Sequence, residues 1–345
     1  MRAFALLILA CALVAGCARA IPPGVTELTY ATPYAPSHPF SRADSRWMAY
    51  VEKASGGTLK IVPLWSGAVL SSDMSIEELR HGVADIGLVT PIYTRGGTQL
   101  VRIQSGFYSG ADSIDSQVQL YRCLEGSVPE LSRELSGLHV LAVQGGLLPG
   151  ILTAHKPVRT LDDLKGMRIR APTELLSVLR GLGADPVNMP MGDVYSAMAR
   201  GVIDGVIAPI DTFKGLHFDE VGHYYTTLAV PRGAYPARAI GDVAWRRLTP
   251  TQQNLLLQSR AVWENALREE IKRGAMAGAT AAAKGHVQIS PISPAEQSRF
   301  DALYLADARM NARSLEALGI DGLDAFNKAR ASVKARDVIK CGGTA

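Results

Sequence analysis

Hydrophobic and polar positions along this chain follow two periods, one typical of strands and one typical of helices. Short apolar or alternating runs predict strands, among them "ELTYATP", "TLKIVPLW" and "VADIGLVTP". Amphipathic stretches between them predict helices that end at glycines. The first ninety residues therefore indicate the order β-α-β-α-β, and a second set of strands and helices follows. This alternation is typical of an α/β protein with doubly wound sheets.

The last third of the chain changes to a long helical pattern after Pro236. Thr249-Pro250 is a typical helix start and Gly285 a typical end, so we expect one helix over 250–284. Such a helix would be ~50 Å long at ~1.5 Å per residue, which exceeds one small domain. No Gly/Ser-rich linker separates the two halves. We therefore expect two hinged α/β lobes and a long helix that spans both.

The expected domain boundaries follow from these elements. The first lobe comprises 21–147 and 236–275, and the second lobe comprises 148–235 and 276–335. Residues 336–345 form a C-terminal tail.

The first twenty residues, "MRAFALLILACALVAGCARA", have the form of a secretory signal. A charged start, an apolar run too short for a confident membrane span and a small-residue exit follow one another. Two exits remain open: "VAGC" resembles a lipobox that would lipidate Cys17, and "ARA" allows cleavage after Ala20. Either processing exports the mature chain to the periplasm, free or lipid-anchored.

Two cysteines outside this signal segment, Cys123 and Cys341, would lie in an oxidising compartment. A disulfide between them is chemically allowed there, and it would fasten the tail to the helix that carries Cys123. The alternative is two unrelated thiols, because sequence does not supply the geometry that a disulfide needs.

Composition and motifs argue against several functions. Lys and Arg are scattered, the formal net charge is only +4, and no basic run indicates nucleic-acid binding. No nucleophile elbow, phosphate-binding loop or zinc-protease motif occurs. His217 and His223 do not share a helical face, so we expect no metal site. The sequence indicates no catalytic residues and no cofactor.

One cation stands out, in the stretch "LKGMRIRAP". Arg170 is the last residue of a predicted strand, directly before Ala-Pro. Open α/β sheets bind ligands at the carboxyl ends of their strands, and a guanidinium matches a carboxylate. The alternative is a surface cation paired with Asp162 or Glu174. The residues alone leave both open.

Several motifs resemble the solute-binding proteins of TRAP transporters, the DctP-like class. They are "DLKGMRIRAP", "GADPVNMPMGDVYSAMARGVIDG", "AWRRLTPTQQNLL" and, earlier, "GGTLKIVPLWSGAVLSSDMSIEELRHGVADIGLVTP". The resemblance covers about 25–325. It implies two lobes that close on a small organic acid, and delivery to a membrane permease of a small and a large subunit. It also implies that Arg170 grips the ligand carboxylate and that Thr90, Met191 and Ala208 line the pocket.

The chain departs from that family at two helper positions. Many relatives read Gln-Glu-Asn-Pro where this chain has Val206-Ile-Ala-Pro209, and many have a second arginine where this chain has Gly150. With Arg170 nearly alone, a dianion would be left underpaired in a closed cleft. The sequence therefore favours a monocarboxylate with an apolar or aromatic body.

Three aromatic residues are candidates to pack on such a body: Trp65, Phe213 and Tyr235. For each of them the alternative is ordinary packing within a lobe. Two other functions also remain open, a ligand-sensing receptor of the same fold and, less favoured, an exported enzyme that acts on small carboxylic acids.

Overall fold

The computed structural model describes residues 22–94 and 96–342. The predicted signal segment, including Cys17, lies outside these residues. Among the residues described, no helix is both long and apolar enough to cross a membrane.

The strands form two large sheets and one small hairpin. In chain order they are β1 (Thr26–Ala31), β2 (Leu59–Leu64), β3 (Ile86–Leu88), β4 (Leu138–Gln144), β5 (Gly150–Thr153), β6 (Arg168–Arg170), β7 (Asp185–Val187), β8 (Gly205–Ala208), β9 (Tyr224–Thr227), β10 (Tyr235–Gly241), β11 (Gln288–Pro291), β12 (Val333–Ala335) and β13 (Val338–Ile339). The first lobe contains the sheet β2-β1-β3-β10-β4, and the second lobe contains the sheet β11-β9-β5-β8-β6-β7.

Helices cover these sheets. They are α1 (Pro39–Ala54), α2 (Ser75–Arg80), α3 (Gln99–Ile103), α4 (Ile114–Ser127), α5 (Pro129–Arg133), α6 (Leu176–Gly181), α7 (Met191–Ala199), α8 (Thr212–Leu216), α9 (Asp242–Trp245), α10 (Pro250–Gln258), α11 (Arg260–Lys284), α12 (Pro294–Ser314) and α13 (Gly322–Ser332). The predicted order β-α-β-α-β is confirmed as β1-α1-β2-α2-β3, with β1 parallel to β2 and to β3.

The two lobes are connected by crossing strands and by one helix. The chain passes from β4 to β5, and returns from β9 to β10, which pairs antiparallel with β3 and β4. Helix α11 packs against α1 in the first lobe, where Trp47 and Trp263 stack with ring centroids 3.6 Å apart. Farther along, its Gly278 meets the backbone of Ile210 in the second lobe. The predicted helix that spans both lobes is therefore confirmed.

The prediction of one continuous helix over 250–284 is wrong, because the pattern breaks at Ser259 into α10 and α11. The buried Ser259 hydroxyl donates to the Leu256 carbonyl at 2.7 Å and accepts from Trp47 Nε1 at 2.8 Å. A hydroxyl that binds the backbone of the preceding turn competes with regular helix geometry. The residues directly after Pro236 also differ from the helical expectation, since they complete strand β10.

The C-terminal elements differ from the predicted boundary of the second lobe. Helix α13 packs against α4 of the first lobe, and Phe326 meets Phe107 edge to face with centroids 5.4 Å apart. Cys123 of α4 and Cys341 are disulfide-bonded, with Cα atoms 5.0 Å apart. The segment 276–335 therefore does not lie wholly in the second lobe. The apolar face of this segment completes the hydrophobic core under α4.

Candidate functional site

A cavity of about 120 Å³ lies between the two lobes. It is bordered by the carboxyl ends of β6 and β8, by the turns after β1 and β3, and by the segment before β10. Its lining is mainly apolar and aromatic with a few charged groups: Tyr34, His38, Phe40, Thr90, Ile92, Tyr93, Ser105, Pro149, Arg170, Pro172, Glu174, Met191, Ile207, Pro209, Asp211, Thr212, Leu216, Arg232, Gly233 and Tyr235.

Arg170 enters this cavity from the end of β6, and only 3% of the residue is exposed. Its Nε donates to the Met189 carbonyl at 2.9 Å, and its Nη2 donates to the Tyr93 hydroxyl at 2.5 Å. The second hydrogen bond joins the two lobes. Since a guanidinium has five N–H groups, the remaining donors are available to an anion.

The alternative of a surface cation does not describe Arg170. Asp162 pairs instead with Arg299 at 2.9 Å. Among the described residues, Arg170 forms no ion pair with any carboxylate, although Glu174 lies close enough for Arg170 to lower its pKa. A buried charge without a counter-ion is unfavourable unless a ligand supplies one.

An aromatic wall closes the cavity on the side of the first lobe. It consists of Tyr34, His38 and Phe40. Tyr34 and His38 stack at 4.1 Å between ring centroids, and Phe40 meets Tyr34 edge to face at 5.5 Å. Burial lowers the pKa of His38 to about 3, so its ring is neutral at physiological pH. This wall therefore adds apolar surface and no charge.

This wall is not among the residues predicted from the sequence, although the sequence carries a signal for it. The stretch "TPYAPSHPF" directly follows the first strand. Aromatic residues in that position lie at the carboxyl end of β1, the end of an open sheet where ligands bind.

Three of the predicted pocket residues line the cavity. Thr90, at the end of β3, donates its hydroxyl to the Ser72 carbonyl, so it shapes the wall and its hydroxyl proton is already engaged. Met191 begins α7 and Tyr235 begins β10. Together with Arg170, these residues bring both lobes to one site.

The other three predicted residues do not line the cavity. Trp65 packs on the core of the first lobe, with its ring 6.0 Å from that of Tyr30. Phe213 is fully buried against Tyr225, with centroids 5.1 Å apart. The Ala208 side chain lies in the same apolar core, while its neighbours Ile207 and Pro209 border the cavity.

The position of Gly150 leaves no room for a side chain. A Cβ atom there would lie 2.4 Å from the Thr226 carbonyl oxygen and 2.7 Å from Tyr225 Cζ. The Tyr225 hydroxyl accepts from the Gly150 N–H at 3.0 Å and donates to the Ala208 carbonyl at 3.2 Å. Tyr225 therefore occupies the space into which an arginine at position 150 would project. Its hydroxyl binds the backbone at Gly150 and Ala208, the two positions at which this chain departs from many relatives.

The cavity is also lined by a second arginine, Arg232, and by two acids, Glu174 and Asp211. None of the three is among the site residues predicted from the sequence. Arg232 is half-buried, whereas Glu174 and Asp211 are each only 6% exposed. Burial raises the pKa of both carboxyl groups, that of Asp211 to about 6. The charge of Arg232 partly opposes the rise at Asp211, and hydrogen bonds together with the charges of Arg170 and Arg232 partly oppose it at Glu174. Arg232 therefore lies in the field of both acids, and Arg170 lies in the field of Glu174.

Two α/β lobes, a cavity between them and a buried arginine that forms no ion pair among the residues described define a ligand-binding protein of the two-lobed class. The family model for bacterial extracellular solute-binding proteins, family 7 (DctP), matches residues 30–309. The chain belongs to this family of TRAP solute-binding proteins, whose members bind substrates for transporters and are not enzymes.

Curated relatives agree with this assignment. A solute-binding protein of Albidiferax ferrireducens is 26% identical over 238 residues, which are 65% of this chain and 67% of the relative. A solute-binding protein of Roseobacter denitrificans is 29% identical over 142 residues, or 41% of this chain and 42% of the relative. The second match thus spans less than half of that relative's length.

Solved structures share the fold. A TRAP solute-binding protein from Rhodoferax ferrireducens, in complex with copurified benzoate, matches with a TM-score of 0.80 and 22% identity over 89% of this chain and 97% of its own. A TRAP periplasmic protein from Bordetella bronchiseptica, with bound mandelate, matches with a TM-score of 0.78 and 21% identity over 90% and 99%. A relative from Vibrio cholerae is named for sialic acid and is 27% identical over 30% of this chain and 33% of its own length. A relative from Halomonas elongata is named for ectoine and is 26% identical over 47% of this chain and 48% of its own length.

Proposed function

We propose that this protein captures a small monocarboxylate with an apolar or aromatic body and delivers it to a TRAP membrane permease. Capture takes place in the periplasm, within the cavity between the lobes. The observation that carries the proposal is Arg170, a buried guanidinium that forms no ion pair among the residues described. A ligand carboxylate would accept hydrogen bonds from its free N–H groups and neutralise its charge.

The charges around the cavity favour one ligand carboxylate over two. Arg232 is the second cation of the lining, but two acids offset the positive charge when ionised: Glu174 lies in the field of both arginines and Asp211 in the field of Arg232. A second ligand carboxylate would therefore approach two acids. The tight packing at Gly150 adds no further donor.

The walls favour an apolar body of limited size. Tyr34, Phe40 and Ile92 from the first lobe face Met191 and Ile207 from the second. An engineered cavity of ~150 Å³ with apolar walls binds benzene. The cavity here, about 120 Å³, is of similar scale. It suits a single ring or a short branched chain.

Relatives support this ligand class without fixing it. The proteins from Rhodoferax and Bordetella hold benzoate and mandelate, each with one carboxylate on one aromatic ring. Ligands elsewhere in the family include sialic acid and ectoine, so family membership alone does not select the substrate. The selection rests on the side chains of this cavity.

A thermal-shift screen of the mature protein tests the capture step. The compounds are aromatic and branched aliphatic monocarboxylates, each with its primary amide and a dicarboxylate of similar size. We expect the monocarboxylates to raise the melting temperature and the amides and dicarboxylates to leave it unchanged. An amide brings no negative charge to Arg170, and a dicarboxylate brings one more than the cavity can pair.

Two variants of strand β6 make this test specific. Arg170→Ala should abolish the shift. Arg168→Ala is the matched control, because Arg168 lies two residues away, is exposed and pairs with Asp185 at 3.0 Å. A hit that survives in Arg170→Ala overturns the proposed clamp. Uptake of the hit by the source bacterium tests delivery, and uptake that persists after deletion of this protein contradicts an importer role.

A further inference from the structure

Asp211 is a buried carboxylate of the cavity for which carboxylate binding by Arg170 gives no role. It directly precedes α8, and its Oδ1 has no hydrogen-bond partner among the residues described. Helix α11 fixes its position, since Gly274 and Gly278 allow close approach. Cβ atoms at these glycines would lie 3.2 Å from Asp211 Cβ and 1.9 Å from the Ile210 carbonyl oxygen.

The neighbours of Asp211 do not satisfy this oxygen. The charged group that most stabilises its ionised form is Arg232, yet the two form no ion pair among the residues described. The Thr212 hydroxyl donates to the Pro209 carbonyl at 2.6 Å, and the Tyr225 hydroxyl donates to the Ala208 carbonyl. The protons of these two hydroxyls are therefore engaged elsewhere, and Oδ1 has no partner among the residues described.

Glu174 differs from Asp211 in its surroundings. Glu174 also has a buried oxygen, Oε2, without a hydrogen-bond partner among the residues described, but it follows β6 closely, lies in the field of both Arg170 and Arg232, and interacts with the Ser105 hydroxyl. Asp211 comes instead from the end of β8, on the side of the cavity that packs against α11. The cavity is therefore lined by a cation at the end of β6 and, at the end of β8, by a carboxylate whose Oδ1 has no partner among the residues described.

We propose that Asp211 determines specificity by accepting a hydrogen bond from the ligand. The ligand class is then a monocarboxylate whose body bears a donor, either a hydroxyl or an ammonium group. This inference rests on the proposed function, since Arg170 must hold the carboxylate for the donor to reach Asp211. An unsubstituted acid would leave Oδ1 buried and without a partner, which is unfavourable.

The test compares acids that share a skeleton and differ in one substituent. One series is phenylacetate, mandelate, phenylglycine, 3-hydroxyphenylacetate and 4-hydroxyphenylacetate. A second series is 3-methylbutanoate, 2-hydroxy-3-methylbutanoate and valine. Calorimetric dissociation constants are measured on the full mature protein. We expect at least one donor-bearing member to bind about tenfold to hundredfold more tightly than its parent, as for a hydrogen bond to a charged group. The hydroxyl and ammonium members show which donor is used.

Variants then assign the preference to Asp211. In Asp211→Ala the dissociation constants of the donor-bearing acid and its parent should differ by less than about threefold. Asp219→Ala is the matched control, because Asp219 also has a buried oxygen without a described partner but does not line the cavity. If Asp211→Ala does not fold, Asp211→Asn with the ammonium member provides the same comparison, since it removes the charge and keeps the shape.

The outcomes distinguish a failure of this inference from a failure of the proposed function on which it rests. If donor-bearing and parent acids bind equally, or if the preference survives in both Asp211 variants, Asp211 does not select the ligand, although the capture of monocarboxylates stands. If no acid of either series binds, or if binding survives in Arg170→Ala, the proposed capture fails and this inference fails with it.

Discussion

The Asp211 carboxylate should destabilise the ligand-free protein at neutral pH. Burial raises the pKa of Asp211 from 3.8 to about 6. A group whose pKa is higher in the folded state disfavours folding once it ionises, so stability is lost as the pH rises from about 4 through about 6. Each pKa unit corresponds to about 1.4 kcal/mol, which gives an upper limit of about 3 kcal/mol for this loss.

Asp211→Asn replaces the ionisable group with a neutral one of the same shape. We therefore expect this variant to exceed the wild type in free energy of unfolding at pH 7.5, by up to about 3 kcal/mol, and to match it at pH 4. Urea unfolding of both proteins, with the disulfide intact and no ligand present, measures the difference.

The matched control for this experiment is Asp219→Asn, which makes the same change at an acid that does not line the cavity. An equal gain there would show that the effect is not specific to Asp211. A wild type that is as stable as Asp211→Asn at pH 7.5 would refute the reasoning. So would a difference that grows as the pH falls, since that is the behaviour of a carboxylate stabilised by the fold. The expected gain also means that this acid is retained at a cost in stability, as is common at binding sites.

Three further perturbations have defined outcomes. Gly150→Ala should lower the free energy of unfolding by at least ~1–3 kcal/mol, measured by urea titration, because the added Cβ meets packed atoms. Replacing both Cys123 and Cys341 by serine should cost up to roughly 5 kcal/mol, because the disulfide closes a loop of 218 residues. Its formation is checked by the intact mass without reductant. Tyr93→Phe should weaken ligand binding roughly threefold to tenfold in calorimetry, because Arg170 loses its partner across the cleft.

Each of these has a control. Gly126→Ala places a methyl group on α4 where no atom lies within 4 Å, so it should not destabilise, and equal losses at both glycines would contradict the packing explanation. Dithiothreitol should lower the melting temperature of the wild type but not of the double serine variant. Tyr50→Phe alters an exposed tyrosine, and a loss of affinity there equal to that of Tyr93→Phe would show that the effect is not local.

The fold could be predicted from sequence to a large extent because its elements are marked locally. Strand and helix periods, glycine stops and the Thr249-Pro250 start identify most of the first lobe and the core of the second. The break at Ser259 could not be predicted, since it depends on a hydrogen bond from Trp47, more than two hundred residues away. The packing of α13 against α4 is a similar long-range outcome.

The site could be predicted only where one residue sits at a strand end. Arg170 is predicted in this way, Thr90 and Met191 through the resemblance and Tyr235 as an aromatic candidate, and all four line the cavity. Arg232 could not be identified, because it lies in the irregular segment before β10 whose path depends on both sheets.

Trp65 and Phe213 are predicted to contact a ligand from their aromatic character, and they lie away from the cavity for a different reason. Aromatic residues near a predicted cleft satisfy core packing as well as ligand contact, and the period of a short segment does not distinguish the two. Trp65 packs on the first lobe and Phe213 on Tyr225, so neither lines the cavity.

The central claim is that Arg170 holds the single carboxylate of the ligand inside the cavity between the lobes. Calorimetric titration of the best acid from the screen, and of its primary amide, into wild type and Arg170→Ala tests it most directly. We predict that removing either charge weakens binding by at least about thirtyfold, as for a buried charge pair that loses one partner. Equal affinity for acid and amide, or affinity in Arg170→Ala within about threefold of the wild type, would contradict the claim.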